Sequence, residues 1–195
     1  MNITINLDQL AGTLQDCLNR VATLGPAMEA GKWLAVSEVK HRFDASIGPD
    51  GRAWAPLTWP RVLGTGGKPL QNYGLLAASI VGKSDGNSIT LGTNNASRNV
   101  HQFGATIRPK KGKYLSIPVT REASRSGGAR QFGRPLRFEF ITGLGAALVE
   151  VQTGIVQFRL LRKVTIPARP FMGWSRQWVD TFSALLAGYI TTGRI

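Results

Sequence analysis

The sequence predicts an α+β fold: a mostly antiparallel sheet packed by N-terminal and C-terminal helices, with a projecting basic β-hairpin arm. Three observations carry this expectation. Near both ends of the chain apolar residues recur every three or four positions, as on one face of a helix. Between them lie short alternating or apolar runs bounded by Gly, Pro, Asn and Asp, the pattern of strands and turns. Positive charge is also concentrated. Residues 101–170 carry thirteen Lys and Arg against three Glu, whereas residues 1–50 have a net charge of −2.

The 195 residues suit a single domain over 1–195, with 105–168 as a β-hairpin arm or insertion within it. A hydrophobic content of 43% is enough to fill a core. No run of about 18 apolar residues is present, as a membrane-spanning helix requires. The start, Met1-Asn2-Ile3-Thr4, has no basic stretch followed by an apolar one, so it does not read as a signal peptide, and synthesis in the cytoplasm is expected. Cys17 is the one cysteine, which excludes an intrachain disulfide. At an apolar helical position it reads as a small buried hydrophobe.

Taken in order, Leu7, Leu10, Leu14, Leu18 and Val21 mark one face of a first helix, which Gly25-Pro26 ends. A second helix follows with Met28, Trp33, Val36, Val39 and Phe43 inward, stopped by Gly48-Pro49-Asp50-Gly51. Arg52 to Leu70 reads as an extended loop anchored by Trp54 and Trp59. These indoles cover the edge of the core or dock on a neighbouring subunit. Ser84-Asp85-Gly86-Asn87 between apolar runs predicts a hairpin, since type I′ turns need positive φ. Asn94 to Gln102 reads as a short helix closed by Gly104. Four strands follow, over Tyr114 to Val119, Leu136 to Ile141, Ala147 to Val151 and Ile155 to Leu161. Between the first two, Thr120 to Pro135 holds four Arg, three Gly and two Ser, and reads as a flexible charged tip with little to bury. A terminal helix presents Trp174, Trp178, Phe182, Leu185, Leu186 and Tyr189 on one aromatic face.

No catalytic constellation is visible. His41 lies in the charged run Lys40-His41-Arg42 and reads as a surface residue. His101 has no carboxylate near it in sequence to orient it as a base. Its expected role is structural, the imidazole bonding backbone while Phe103 packs below. After Asp50 the acids are Asp85, Glu122, Glu139, Glu150 and Asp180, with no pairing suited to acid–base work or a metal. Gly64-Thr65-Gly66-Gly67-Lys68 lacks the spacing of a phosphate loop and is followed by Pro69, so it reads as a turn. No cofactor is implied, and the chain does not read as an enzyme.

The electrostatic signal is Arg108, Lys110, Lys111, Lys113, Arg121, Arg125, Arg130, Arg134 and Arg137. These form a solvated hairpin surface, or dock on an acidic protein neighbour, or contact DNA phosphates. With only Tyr114, Phe132 and Phe138 interleaved, base stacking is not favoured and DNA contact would be sequence-independent. Of the two docking readings, the acidic protein neighbour is favoured.

Five motifs occur in a telling order. They are Pro49-Asp50-Gly51-Arg52-Ala53-Trp54-Ala55-Pro56-Leu57, then Gly74-Leu75-Leu76-Ala77-Ala78-Ser79-Ile80, then Leu91-Gly92-Thr93-Asn94, then His101-Gln102-Phe103-Gly104. Last comes Pro167-Ala168-Arg169-Pro170-Phe171, continued by Met172-Gly173 and the terminal helix. From Asp44 to Tyr189 this order resembles the phage virion morphogenesis or tail completion family. One departure is Arg98-Asn99-Val100, where that family usually carries a Tyr-Ala pair before the His.

The resemblance implies a structural virion protein of the head–tail junction, a neck or tail completion ring. Implied partners are copies of itself in a homo-oligomeric ring (hexamer or dodecamer), portal, connector or tail proteins, and double-stranded DNA passing through; no membrane is implied. Trp54, His101, Gln102, Phe103, Gly104, Arg169, Pro170 and Phe171 are then packing residues of the core or of subunit contacts. The alternative reading is a basic, sequence-independent nucleic-acid-binding protein.

Overall fold

The periodic apolar residues at the start of the chain become two consecutive helices, α1 (Leu7–Ala22) and α2 (Gly25–Ala45). The structure, a computed structural model, describes residues 7–57, 67–71 and 73–195. Trp59, the Gly64-Thr65-Gly66 turn and Met1-Asn2-Ile3-Thr4 lie outside the described residues. Pro26 opens α2, where its missing N–H costs nothing. The helix stops at Ser46, which is left-handed (φ 56°) and donates its N–H to the Arg42 carbonyl. Met28, Val36, Val39 and Phe43 are buried as expected. Trp33 is not; it is 63% exposed. It lies five residues after Met28, about 140° round a helix of 3.6 residues per turn. Its indole N–H instead donates to Glu29. Cys17 is only half-buried.

The chain divides into two compact units. Unit 1 comprises Met1–Ala53, Leu76–Asn95 and Phe171–Ile195. Besides α1 and α2 it contains most of α3 (Leu75–Ala78), whose first residue falls in unit 2, and strands β1 (Ile80–Ser84) and β2 (Ile89–Thr93). The two strands pair antiparallel, Ile80 opposite Thr93 and Ser84 opposite Ile89. Gly86 takes φ 88° at the turn. The Asp85 carboxylate accepts from the Ser88 hydroxyl and from the N–H groups of Asn87 and Ser88, which hold its pKa below the usual carboxylate range. A Cβ at Gly82 would sit 2.7 Å from Lys32 of α2, so glycine is what lets this strand approach the helix.

Unit 1 closes with the terminal helix (Arg176–Thr192). Ser175 caps its start, accepting from the Trp178 N–H at 3.0 Å. Trp174, Trp178 and Phe182 stack at centroid spacings of 4.3 and 4.8 Å. Arg20 at the end of α1 donates to the carbonyls of Ile190 and Thr191, both at 3.0 Å, placing a cation at the negative end of the terminal helix.

Unit 2 comprises Trp54–Leu75 and Ala96–Pro170. Its helix α4 (Arg98–Phe103) leads into β3 (Ala105–Ile107). Then come β4 (Leu115–Pro118), α5 (Arg121–Arg125), β5 (Leu136–Ile141), β6 (Gly145–Glu150), β7 (Val156–Leu161) and β8 (Val164–Ile166), so that the terminal helix is α6. Four of these strands form an antiparallel sheet in the order β4-β7-β6-β5, and β3 pairs with β8. Tyr114, just before β4, has its ring 6.4 Å from that of Phe138 on β5.

The stretch from Thr120 to Pro135 departs from expectation. It is not a structureless tip. Thr120 caps α5 by accepting from the Ala123 N–H, and a short 3-10 turn follows at Ala129–Gln131. Ala123 and Phe132 are buried against Phe158, the two rings edge to face at 5.7 Å. Composition alone concealed this, because two apolar residues among four arginines are enough to anchor a lid. Arg134 braces it from the other side through ion pairs with Glu122 and with the buried Glu150. Gln157 donates to the second oxygen of Glu150 at 2.8 Å, so this buried carboxylate is paired and hydrogen-bonded.

Phe132→Ala is therefore expected to lower the unfolding free energy by about 3–5 kcal/mol in a denaturant titration. A change within about 0.5 kcal/mol, the range of ordinary surface substitutions, would mean that the lid packs on nothing.

Candidate functional site

Three motif segments converge in unit 2. Gly104 follows α4 with φ 73°, and a Cβ there would fall 2.8 Å from the Ala168 nitrogen and 2.9 Å from the Ile166 oxygen. Only glycine allows the chain to pass so close and then to run as β3 alongside β8. The Arg169 N–H donates to the His101 carbonyl at 2.8 Å, which ties the fourth motif to the fifth. The Arg169 side chain is buried. Its Nε donates to the Ala55 carbonyl at 2.8 Å and one Nη to the Pro56 carbonyl at 2.9 Å. Trp54, also buried, donates its indole N–H to the Pro170 carbonyl at 2.8 Å. The planar guanidinium meets two neighbouring carbonyls with donors on separate nitrogens in a fixed fork, a geometry that the single nitrogen of an ammonium does not reproduce.

His101 and Gln102 are half-buried, but Phe103 does not pack beneath the imidazole. It is 76% exposed. Two residues separate about 200° of helix, so a ring at the end of α4 points away from His101. Phe171 belongs to unit 1, where it is fully buried and lies 5.4 Å from the Phe43 ring. Arg42 is a second buried guanidinium, hidden in the charged run around His41. It donates to the carbonyls of Phe171 at 3.1 Å and Gly173 at 2.8 Å, and to the Glu38 carboxylate at 2.7 Å. His41 beside it is exposed.

The nine basic residues of the sequence pattern do not act as one group. Arg134 is the lid brace, and Arg137 pairs with Glu139. Arg121, Arg125 and Arg130 are exposed on the lid. Arg108, Lys110, Lys111 and Lys113 are exposed on the connection from β3 to β4. Arg162 and Lys163, also exposed, form the connection from β7 to β8. Because β3 pairs with β8 and β4 with β7, both connections emerge at the same end of these ladders. Reading along the chain gives no hint of this, since some fifty residues separate the two pieces.

Among the exposed apolar residues, those on α1 and on β5 form shared faces. On α1, Leu7, Leu10, Leu14, Leu18 and Val21 do form one face, but every one is at least 48% exposed. On β5, an edge strand of the sheet, Phe138 and Phe140 share a face and are both exposed. Among the described residues, no group of three or more His, Cys, Asp or Glu could hold a metal, and no helix is long and apolar enough to cross a membrane.

A family model described as the phage virion morphogenesis family matches this chain over residues 5–189. No curated protein and no solved structure matches it.

The hydrogen-bonded clasp makes a direct prediction. Arg169→Ala removes two charge-assisted hydrogen bonds, at about 1.5–3 kcal/mol each. It should destabilise the protein strongly in thermal unfolding, and Arg169→Lys should recover only part of the loss. Arg108→Ala, at an exposed site, should change stability by no more than about 0.5 kcal/mol. Equal effects at the two positions would contradict the clasp.

Proposed function

The chain belongs to the phage virion morphogenesis family, and from that premise we propose that it is a ring-forming subunit of the head–tail junction, in the neck or at the top of the tail. There it completes the virion by joining head and tail. The observation that carries the reading is the family match across nearly the whole chain. Family membership makes this a structural virion-assembly protein, and its motif residues fit that role. Trp54, Gly104, Arg169 and Phe171 hold backbone and core in place rather than line a reactive cleft.

Helix α1 supports the ring. It is a sixteen-residue amphipathic helix with no buried residue. Its polar tie to α6 is at its C-terminal end, through Arg20 and the Thr23 carbonyl, which accepts from the Tyr189 hydroxyl at 2.8 Å. A continuous apolar face left in water is costly and marks an interaction site. In a closed ring each subunit uses two different patches, so the face of α1 would lie on another surface of the neighbouring copy.

The test is genetic and structural. Phage that lack this protein should accumulate filled heads and separate tails, and the wild-type chain supplied in trans should restore joined particles. The double variant Leu10→Asp/Leu14→Asp should keep the wild-type circular dichroism spectrum yet fail to self-associate and fail to restore joining. Intact infectious particles formed without the protein would contradict the proposal.

A further inference from the structure

All of the net charge of +13 resides in one of the two units. Unit 1 holds eight Lys and Arg and eight Asp and Glu; unit 2 holds sixteen Lys and Arg and three Glu. Those three carboxylates are engaged, Glu122 and Glu150 with Arg134 and Glu139 with Arg137. No acidic residue of unit 2 is left to balance its remaining cations.

The topology gathers six of these at one place. Ile107 pairs with Val164 at the end of the β3–β8 ladder, and Leu115 with Leu161 at the end of the β4–β7 ladder. Arg108 and Lys163 follow directly on the first pair, and Tyr114 and Arg162 on the second. The ends of the two connections are therefore adjacent. Together they present Arg108, Lys110, Lys111, Lys113, Arg162 and Lys163, all exposed. Like charges held so close repel one another, and a polyanion relieves that repulsion.

The composition of this tip decides what kind of polyanion fits. Four of the six cations are Lys. Lysine is a hydrated point charge on a flexible stem that meets phosphates without fixed geometry, whereas the arginine fork serves bidentate recognition of carboxylate and phosphate alike. Lysine is also depleted at the centres of protein–protein interfaces, where aromatic residues are enriched. The one aromatic in these connections, Tyr114, is half-buried against Phe138, so no ring stands out to stack on an unpaired base. Against the acidic-neighbour reading that the sequence favoured, we propose that this tip binds the phosphate backbone of duplex DNA without regard to base sequence. The inference rests on the charge distribution of unit 2 and does not require the ring at the head–tail junction.

Fluorescence anisotropy of the full chain with two unrelated duplexes of equal length tests it. The wild-type protein should bind both duplexes equally. Contacts to six phosphates give a log–log salt slope of about −5, a loss of roughly a thousandfold in affinity between 50 and 200 mM salt. Replacing Lys110, Lys111 and Lys113 by Gln should flatten the slope by roughly 0.9 per residue. Arg162→Gln/Lys163→Gln should flatten it similarly. Arg121→Gln/Arg125→Gln, on the lid, should leave it unchanged. Circular dichroism of each variant verifies that the fold is kept.

Absence of binding at 50 mM salt would overturn the proposal, as would equal losses from the lid and tip variants. Displacement of the duplex by polyglutamate at matched charge would overturn it in favour of an acidic protein partner. Each of these failures leaves the head–tail proposal standing, because joining of heads and tails is measured separately in particles.

Discussion

Two buried guanidiniums set the terms for this structure. Removing an arginine from water is costly, and the cost is offset only where fixed acceptors meet its donors. In unit 2 the acceptors of Arg169 are the carbonyls of Ala55 and Pro56. In unit 1 the acceptors of Arg42 are the carbonyls of Phe171 and Gly173 and the carboxylate of Glu38. The short run from Arg169 to Gly173 thus supplies a donor to one unit and two acceptors to the other. Phe171 adds apolar burial against Phe43, and Gly104 gives the room for the His101 segment to approach. Among the residues that resemble a family signature, Trp54, Gly104, Arg169 and Phe171 are thus the ones whose burial, backbone geometry or hydrogen bonding leaves little choice of side chain.

Most of the regular structure was legible in the sequence. The helical spacing of Leu7 to Val21, of Met28 to Phe43 and of Trp174 to Tyr189 became α1, α2 and α6. Asp85-Gly86 marked the β1–β2 turn, and the alternating runs after Leu136 became β5 to β7. These are local signals, set by period and by turn chemistry. What stayed hidden was set by partners distant in sequence. Nothing local distinguishes the buried Arg42 from its exposed neighbour His41. Ala123 and Phe132 gain meaning only once Phe158 lies beneath them. The contribution of Arg162 and Lys163 to the basic tip follows from strand pairing alone. The same limit applies to α1, where periodicity identified an apolar face but not that this face is open to water.

The two units differ in what they offer a partner. Unit 1 has balanced charge and an open leucine face on α1, which suits contact with protein. Unit 2 holds the whole excess of positive charge, with six cations at one tip, which suits a phosphate backbone. A virion-assembly protein with both kinds of surface can hold its neighbours by apolar burial and meet the genome by screened electrostatics. These two interactions respond oppositely to added salt: apolar burial is maintained or strengthened, and phosphate contact is weakened.

The most direct measurement of the central claim is electron cryomicroscopy of intact virions, focused on the head–tail junction. The account predicts a closed ring there into which copies of this fold dock, with the leucine face of α1 covered by the neighbouring copy. Junction density that this fold does not fit, together with absence of the chain from purified particles, would contradict it.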